Sequence, residues 1–347
     1  MKTNLITRLL LGAIVAAPLA MGTQTASAET YEMRVGNITS NDAQELSAKM
    51  FIDLVQKKSN GEIKGQLFTG GALGSNDEVM RGLRLGSIQA NINPTGNLNQ
   101  FVPQAGVLTL PWLFPGNNPT QQIENITRIL KGQAGNAIKT MADQKGFHVV
   151  SLFGLGPNQI FLRDYDKSKS VVENLKGKRI RTISGQEHTE TVNNWGARSV
   201  QMSLPEVYTS IQQGVIDGFD LPAAVTTKLK YHEQAPYVLM TNHIVLTQYI
   251  AVSKAWYDKL PANLKKAVDE AGAETEALGT DAYVKEQNEA LNMLKTNPKM
   301  TVVELTEADR KALQDMNKKG VWTEVKKNPG KAEMLKLLEA DVAKLAK

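Results

Sequence analysis

The 347-residue chain contains no cysteine. That absence excludes disulfides, thiolate nucleophiles, cysteine-based metal sites and the cysteine-borne lipid anchor of bacterial lipoproteins. A chain this long buries enough core to fold without such staples, even in an oxidising compartment. Histidine is scarce as well: the four are His148, His188, His232 and His243. None makes an H-x-x-x-H or H-E-x-x-H spacing, and Glu187-His188 is a lone acid–imidazole neighbour pair. No G-x-S-x-G elbow surrounds Ser184-Gly185. Gly154-Leu155-Gly156 lacks the third glycine and the helix start of a dinucleotide fingerprint. These gaps argue against an enzyme, a cofactor and a metal site. Aromatic residues make up 6% of the chain and formal net charge is only +5. No dense basic stripe with interleaved aromatics is present, so nucleic acid is not an expected partner. Past the amino terminus, no hydrophobic run approaches the ~20 residues of a membrane span.

What is present begins with a targeting segment. Lys2 and Arg8 give a basic start, Leu9–Met21 is an apolar core too short for a span, and Ala26-Ser27-Ala28 fits the small-x-small cleavage rule. The spacing predicts a secretory signal peptide over 1–28, leaving Glu29 as the mature amino terminus and a periplasmic location. The alternative is a retained membrane anchor. Removing Lys2 and Arg8 lowers the formal charge from +5 to +3, too small a field to specify a partner.

The mature length suits two domains. Tyr31–Gly36, Ile63–Phe68 and Ile88–Asn93 read as strands, with helices over Ala43–Lys58 and from Ser75 to Leu85. Ser75 and Glu78 make a capping-box pair. The same β-α-β-α-β plan recurs in Lys178–Thr182, Gln186–Trp195, Ser199–Met202, Pro205–Gln213 and Val215–Asp220. Strands alternating with short helices imply parallel sheets, with ligands beyond the strands' carboxyl ends. The expected fold class is therefore α/β, with two lobes and a cleft between them. His148–Phe153 reads as a strand, Gly154–Pro157 as a hinge, and Gln159–Arg163 as a further short strand. A helical pattern over Pro261–Leu294 is long enough to lie across both lobes. The first lobe is assigned to 29–156 and 246–285, the second to 157–245 and 286–347.

Two arginines and several polar residues fall at strand ends or in loops. A planar guanidinium offers paired donors matched to a carboxylate. Arg181 sits at a strand end in a glycine-bounded unit; the alternative is one more cation of a basic surface loop with Lys176, Lys178 and Arg179. Arg163 closes a short strand and could equally pair with Asp164 or Asp166. Asn37, Asn76, Asn91 and Asn93 are polar groups on the first-lobe side, with turn formation as the competing role for Asn76. Asp220 could accept hydrogen bonds from a ligand or cap the helix at Ala223.

The order of motifs carries a resemblance. Leu175-Lys176-Gly177 with Arg181, then Trp195-Gly196-Ala197 with Val200 and Met202, then Glu206-Val207-Tyr208 running to Gly214-Val215-Ile216-Asp217-Gly218, resemble the DctP-type substrate-binding proteins of TRAP (tripartite ATP-independent periplasmic) transporters. Ser59–Gly61 with Gly70, Leu73 and Gly74, then Arg84–Gly86, then Leu110–Phe114, are similar to other blocks of that family. Together they cover nearly the whole mature chain. The resemblance implies a two-lobed binding protein with a long spine helix, a monomer by default. It implies capture of a small organic acid and delivery to membrane permease subunits. It further implies that Arg181 clamps the ligand carboxylate, that Arg163 assists, and that Asn37 and Asn76 read the far end of the ligand.

The chain also departs from the family pattern. After Asp217-Gly218, where many dicarboxylate and sialic-acid binders read Q-E-N-P, it has Phe219-Asp220-Leu221-Pro222. The usual ligand-bonding Asn is replaced by Leu221, and Leu204 stands where sialic-acid binders carry an aromatic. Both changes predict a more apolar cleft and a compact or partly apolar acid. Ile183 occupies the position at which metal-assisted 2-oxo-acid binders carry Gln, which argues against a metal. The alternatives in function are a binding protein serving an ABC transporter or a sensor, or a periplasmic enzyme acting on a small acid.

Overall fold

The computed structural model describes residues 30–346. The predicted signal segment and its cleavage point lie outside the described residues. The described residues form ten strands: β1 (Tyr31–Asn37), β2 (Ile63–Phe68), β3 (Ala90–Pro94), β4 (Phe147–Leu162), β5 (Arg179–Thr182), β6 (Arg198–Gln201), β7 (Gly218–Pro222), β8 (Tyr237–Leu239), β9 (Val245–Ser253) and β10 (Thr301–Val303). In the first lobe β1 lies between β2 and β3, parallel to both. In the second, β5 lies between β6 and β7, again parallel to both. The two β-α-β-α-β units read from the sequence are thus the cores of the two lobes. Met33 and Val35 of β1, Ile63 of β2 and Ala90 and Ile92 of β3 are buried with Phe51 and Val55 of the helix Ala43–Lys58. That helix starts on Asp42, which accepts a hydrogen bond from the Glu45 N–H. The helix Asn76–Leu85 has the expected capping box of Ser75 and Glu78 and ends on Gly86 at φ 83°, a left-handed position that glycine occupies without strain.

The region read as two strands and a hinge is one strand. β4 runs 16 residues and pairs antiparallel with β9 from Phe147 opposite Ser253 to Pro157 opposite Val245. The register shifts between Val149 and Ser151 and again between Gly154 and Gly156. Gly156, at φ 148°, allows this second bulge, so the glycines bend the strand without ending it. Beyond the bulges β4 pairs with β7 and β8 in the second lobe. β4 and β9 are therefore strands shared between the lobes.

The helix Ala262–Thr296, 35 residues long, extends about 50 Å at 1.5 Å per residue. Its glycines let it lie close on the shared strand: a Cβ on Gly272 would come 2.6 Å from Val150 Cβ, and one on Gly279 2.9 Å from Phe153. Glu276 pairs with Lys131 of the first lobe at 3.2 Å. Eleven residues on, Gln287 accepts from the Ala224 N–H of the second lobe at 3.1 Å. The helix spans both lobes, as the sequence implied.

At the carboxyl end, the segment 286–347 expected in the second lobe does not pack as one unit. The helix Glu307–Lys319 does belong to the second lobe, with Leu313 buried beside Ile180, Val192 and Trp195. The helix Pro329–Ala343 instead returns to the first lobe. Its Met334, Leu335 and Leu338 are buried with Leu130, Ala134 and Ile138, and Asp341 accepts from the Ala134 N–H at 2.9 Å.

Candidate ligand-binding cleft

A cleft of about 500 Å³ lies between the lobes, a size that suits a small molecule. The carboxyl ends of β1, β3, β5 and β7 supply its walls, through Ile38 and Thr39, Asn93 and Pro94, Arg181 and Ile183, and Leu221. Parallel strands place these side chains together because each strand delivers its last residues to the same edge.

Arg181 is the cationic feature of the wall. It is buried at 2% exposure. Its Nε and Nη2 both donate to the Met202 carbonyl, at 3.1 and 3.0 Å, while Nη1 has no protein partner. The Met202 carbonyl is available because the chain leaves β6 there and turns through Ser203, whose N–H donates to Glu206 at 2.8 Å. Burial pulls the guanidinium down to about 10, against the opposing pull of the Asp220 carboxylate. It remains cationic at neutral pH, held on one side and unsatisfied on the other. A buried donor in that state costs free energy until an acceptor reaches it.

The second-lobe wall around Arg181 is apolar, with Leu204, Leu221, Ile183 and Val225. The first-lobe wall is polar, with the neutral side chains of Thr39, Gln44, Asn76, Asn93 and Asn97 beside the carboxylate of Asp77. Asn93 donates to Asn76 at 2.9 Å, Asn97 donates to Asn93 at 2.8 Å, and Ser184 of the second lobe donates to Asn97 at 3.3 Å. The last of these bonds crosses between the lobes.

Five of the residues singled out from sequence therefore meet in the cleft: Arg181, Asn76, Asn93, Leu204 and Leu221. Asn37 is buried directly behind the wall, donating to the Thr39 carbonyl at 2.9 Å and accepting from Gln44 at 2.7 Å. It positions wall residues without lining the cleft. Asn91 is held by the Gly36 carbonyl and Tyr249.

Three further residues are not brought to the cleft. Arg163 follows β4, which runs antiparallel to β7. The end of β4 is therefore at the opposite edge from the ends of β5 and β7, and Arg163 is exposed there with Nη1 over Gly214. The partners expected for it, Asp164 and Asp166, pair instead with Lys178 and Lys169. Phe219 is a core residue stacked on Phe161 at 5.2 Å. Asp220 points to the other face of the pleat from Leu221. It does not cap the following helix, whose cap residue is Pro222; it is fully buried between His188 and His243, the latter at 3.4 Å. Burial pushes the Asp220 carboxyl up, but the two imidazoles outweigh it and hold the group below the usual carboxylate range.

The sequence reading missed Thr39, Gln44, Asn97, Ser184 and the Met202 carbonyl. Thr39 and Gln44 follow the end of β1, so the strand-end rule that found Asn37 would have reached them. A main-chain carbonyl has no residue-type signal. Among the described residues, no group of three or more His, Cys, Asp or Glu is arranged to hold a metal ion.

Residues 35–328 match the model of the bacterial extracellular solute-binding proteins of family 7, DctP. The 2,3-diketo-L-gulonate-binding periplasmic protein YiaO of Escherichia coli is 27% identical over 295 residues, covering 84% of this chain and 86% of the relative. A TRAP periplasmic solute-binding protein from Sulfitobacter sp. NAS-14.1, solved with bound β-D-galacturonate, superposes with a TM-score of 0.80. It is 23% identical and covers 88% of this chain and 99% of that one. One from Shewanella oneidensis, solved with bound succinate, superposes at 0.81 with 23% identity, covering 90% and 99%. Both share the two-lobed fold. The match over most of the chain, on a fold with an interlobe cleft at its strand ends, makes this protein a member of the DctP family of TRAP solute-binding proteins.

Proposed function

We propose that this protein captures a small organic acid anion in the interlobe cleft and delivers it to the membrane permease of a TRAP transporter, working in the periplasm after loss of residues 1–28. The observation that carries the reading is the buried Arg181 on the cleft lining, fixed by two of its nitrogens on Met202 and with Nη1 left without a protein partner. A carboxylate is the acceptor that matches this cation in charge and geometry. Closing the lobes removes water from the ion pair and strengthens it, while ordering of both partners opposes. The family relatives support the ligand class: one is named for 2,3-diketo-L-gulonate, and two were solved with galacturonate and succinate.

The test is a thermal-shift screen of the mature chain against organic acids, each beside its neutral amide. A ligand at 100 times its Kd stabilises by about 2.7 kcal/mol. Stabilisation by an acid but not by its amide is the expected result. Stabilisation by neutral solutes alone would overturn the reading.

A further inference from the structure

Acid capture leaves open how many charges the ligand carries, and the cleft walls bear on that. Among the described residues, Arg181 is the one cation on the lining and Asp77 the one carboxylate. They stand on opposite lobes. A second acid group on the ligand, held at the first-lobe wall, would find no Lys, Arg or His there. It would face neutral amides and the negative charge of Asp77.

The amino terminus of the helix Asn76–Leu85 opens at this wall and would ordinarily attract an anion. Here it is already served by acids. The Glu78 carboxylate accepts from the Ser75 N–H and hydroxyl, both at 2.8 Å, and Asp77 follows Asn76 in the first turn. A third carboxylate would meet two like charges at the place where the helix dipole is strongest.

The amides, by contrast, are arranged for a neutral group. The bonds run in one direction, from Ser184 to Asn97, from Asn97 to Asn93, and from Asn93 to Asn76. Each uses an amide oxygen as acceptor. The chain ends with the Asn76 oxygen occupied, so Nδ2 is the donor that this lining residue has left to offer. A hydroxyl or carbonyl oxygen satisfies that donor without adding charge. Leaving a carboxylate unpaired in a closed cleft costs far more than leaving a hydroxyl there.

We infer that the cleft selects singly charged acids, with the carboxylate on Arg181 and a neutral oxygen-bearing group at Asn76, and discriminates against dicarboxylates. This rests on the acid-capture reading and deepens it. The test is calorimetric titration of the mature chain with three matched pairs that differ only in exchanging one terminal CH2OH for a carboxylate. They are D-galactonate and galactarate, 4-hydroxybutyrate and succinate, and 4-(hydroxymethyl)benzoate and terephthalate. The expected result is that the monoacid binds at least tenfold tighter in every pair that binds. The variant Asn76→Lys, which adds a cation at the first-lobe wall, should shift the ratio toward the diacid by at least tenfold. A diacid equal to or tighter than its monoacid, or a ratio unmoved by Asn76→Lys, overturns the inference and leaves acid capture standing. Binding by none of the six acids overturns acid capture and this inference with it, whereas acid binding that survives Arg181→Ala overturns the Arg181 clamp and this inference and leaves acid capture standing.

Discussion

At the scale of single residues, two buried charges make opposite predictions. Arg181 already spends two nitrogens on the Met202 carbonyl, so only a forked side chain can hold that carbonyl and a ligand together. Arg181→Ala should weaken acid binding by at least 100-fold. Arg181→Lys should recover little of it, because a single ammonium loses the fixed orientation; calorimetry that found Lys equivalent to Arg would remove the fork from the mechanism. Asp42 is a charge the fold tolerates poorly. Burial raises its carboxyl from 3.8 to about 6, despite hydrogen bonds from the Glu45 N–H and Thr39 that pull it back, and its Oδ2 has no partner. A group raised in the folded state stabilises fully below its unfolded pKa, and that stability is lost as pH rises through the folded value. The wild type should therefore lose stability between about pH 4 and pH 6 relative to Asp42→Asn, which keeps a competent helix cap. The Tm difference should be small at pH 4 and correspond to roughly 3 kcal/mol at pH 7. A pH-independent difference would mean that Asp42 ionises freely.

At the scale of elements, legibility tracked the range of the forces involved. The helix Ala43–Lys58, the Ser75–Glu78 capping box and the strand β2 match the sequence reading residue for residue, because each is fixed by neighbours within a few positions. β4 was misread because Gly154-Leu155-Gly156-Pro157 breaks a strand by local rules, whereas pairing with β9, roughly 90 residues away, holds it through two bulges. Arg163 was assigned to the ligand by resemblance, but a strand's direction in the sheet decides which edge its end reaches, and direction is not written locally. The local sequence of the last helix likewise does not name the lobe that covers it. Contacts of this long range also govern the spine helix. Gly272 is a poor helix former, and Ala there would gain about 1 kcal/mol of propensity. Its Cβ would, however, come 2.6 Å from Val150 Cβ and 2.9 Å from the Val150 carbonyl oxygen, contacts that only a shift of helix or strand relieves. Overpacking of this kind costs typically 1–3 kcal/mol and should win. Gly272→Ala is expected to lower the urea midpoint with an unchanged m-value, and a raised midpoint would show that the helix can slide freely on the strand.

At the scale of the whole molecule, the lobes are joined by more than the shared strands and the spine. Glu187, in the first turn of the helix Gln186–Asn194 of the second lobe, pairs with Lys331 of the carboxyl-terminal helix that lies on the first lobe. Both are buried, at 2% and 8% exposure, and the Glu187 carboxylate sits against Gly106 of the first lobe, where a Cβ would leave only 2.2 Å. Two residues before Glu187, Gly185 lines the ligand cleft, so the pair is mechanically close to whatever the cleft does on closing. A buried pair of this kind adds little net stability over an apolar replacement, but removing one partner strands the other charge at a cost of about 3–5 kcal/mol. Lys331→Met alone should therefore destabilise the protein by several kcal/mol, and adding Glu187→Gln should restore most of the loss. The same variants separate a lock from a passive contact. If the pair holds the lobes together, the stranded Glu187 regains water by parting them, and Lys331→Met should enlarge the ligand-free molecule in solution scattering and weaken acid binding, with both effects reversed in the double variant. A double-mutant cycle with a coupling below about 0.5 kcal/mol, and scattering profiles that superpose, would show that the lobes are positioned by β4, β9 and the spine helix without this pair.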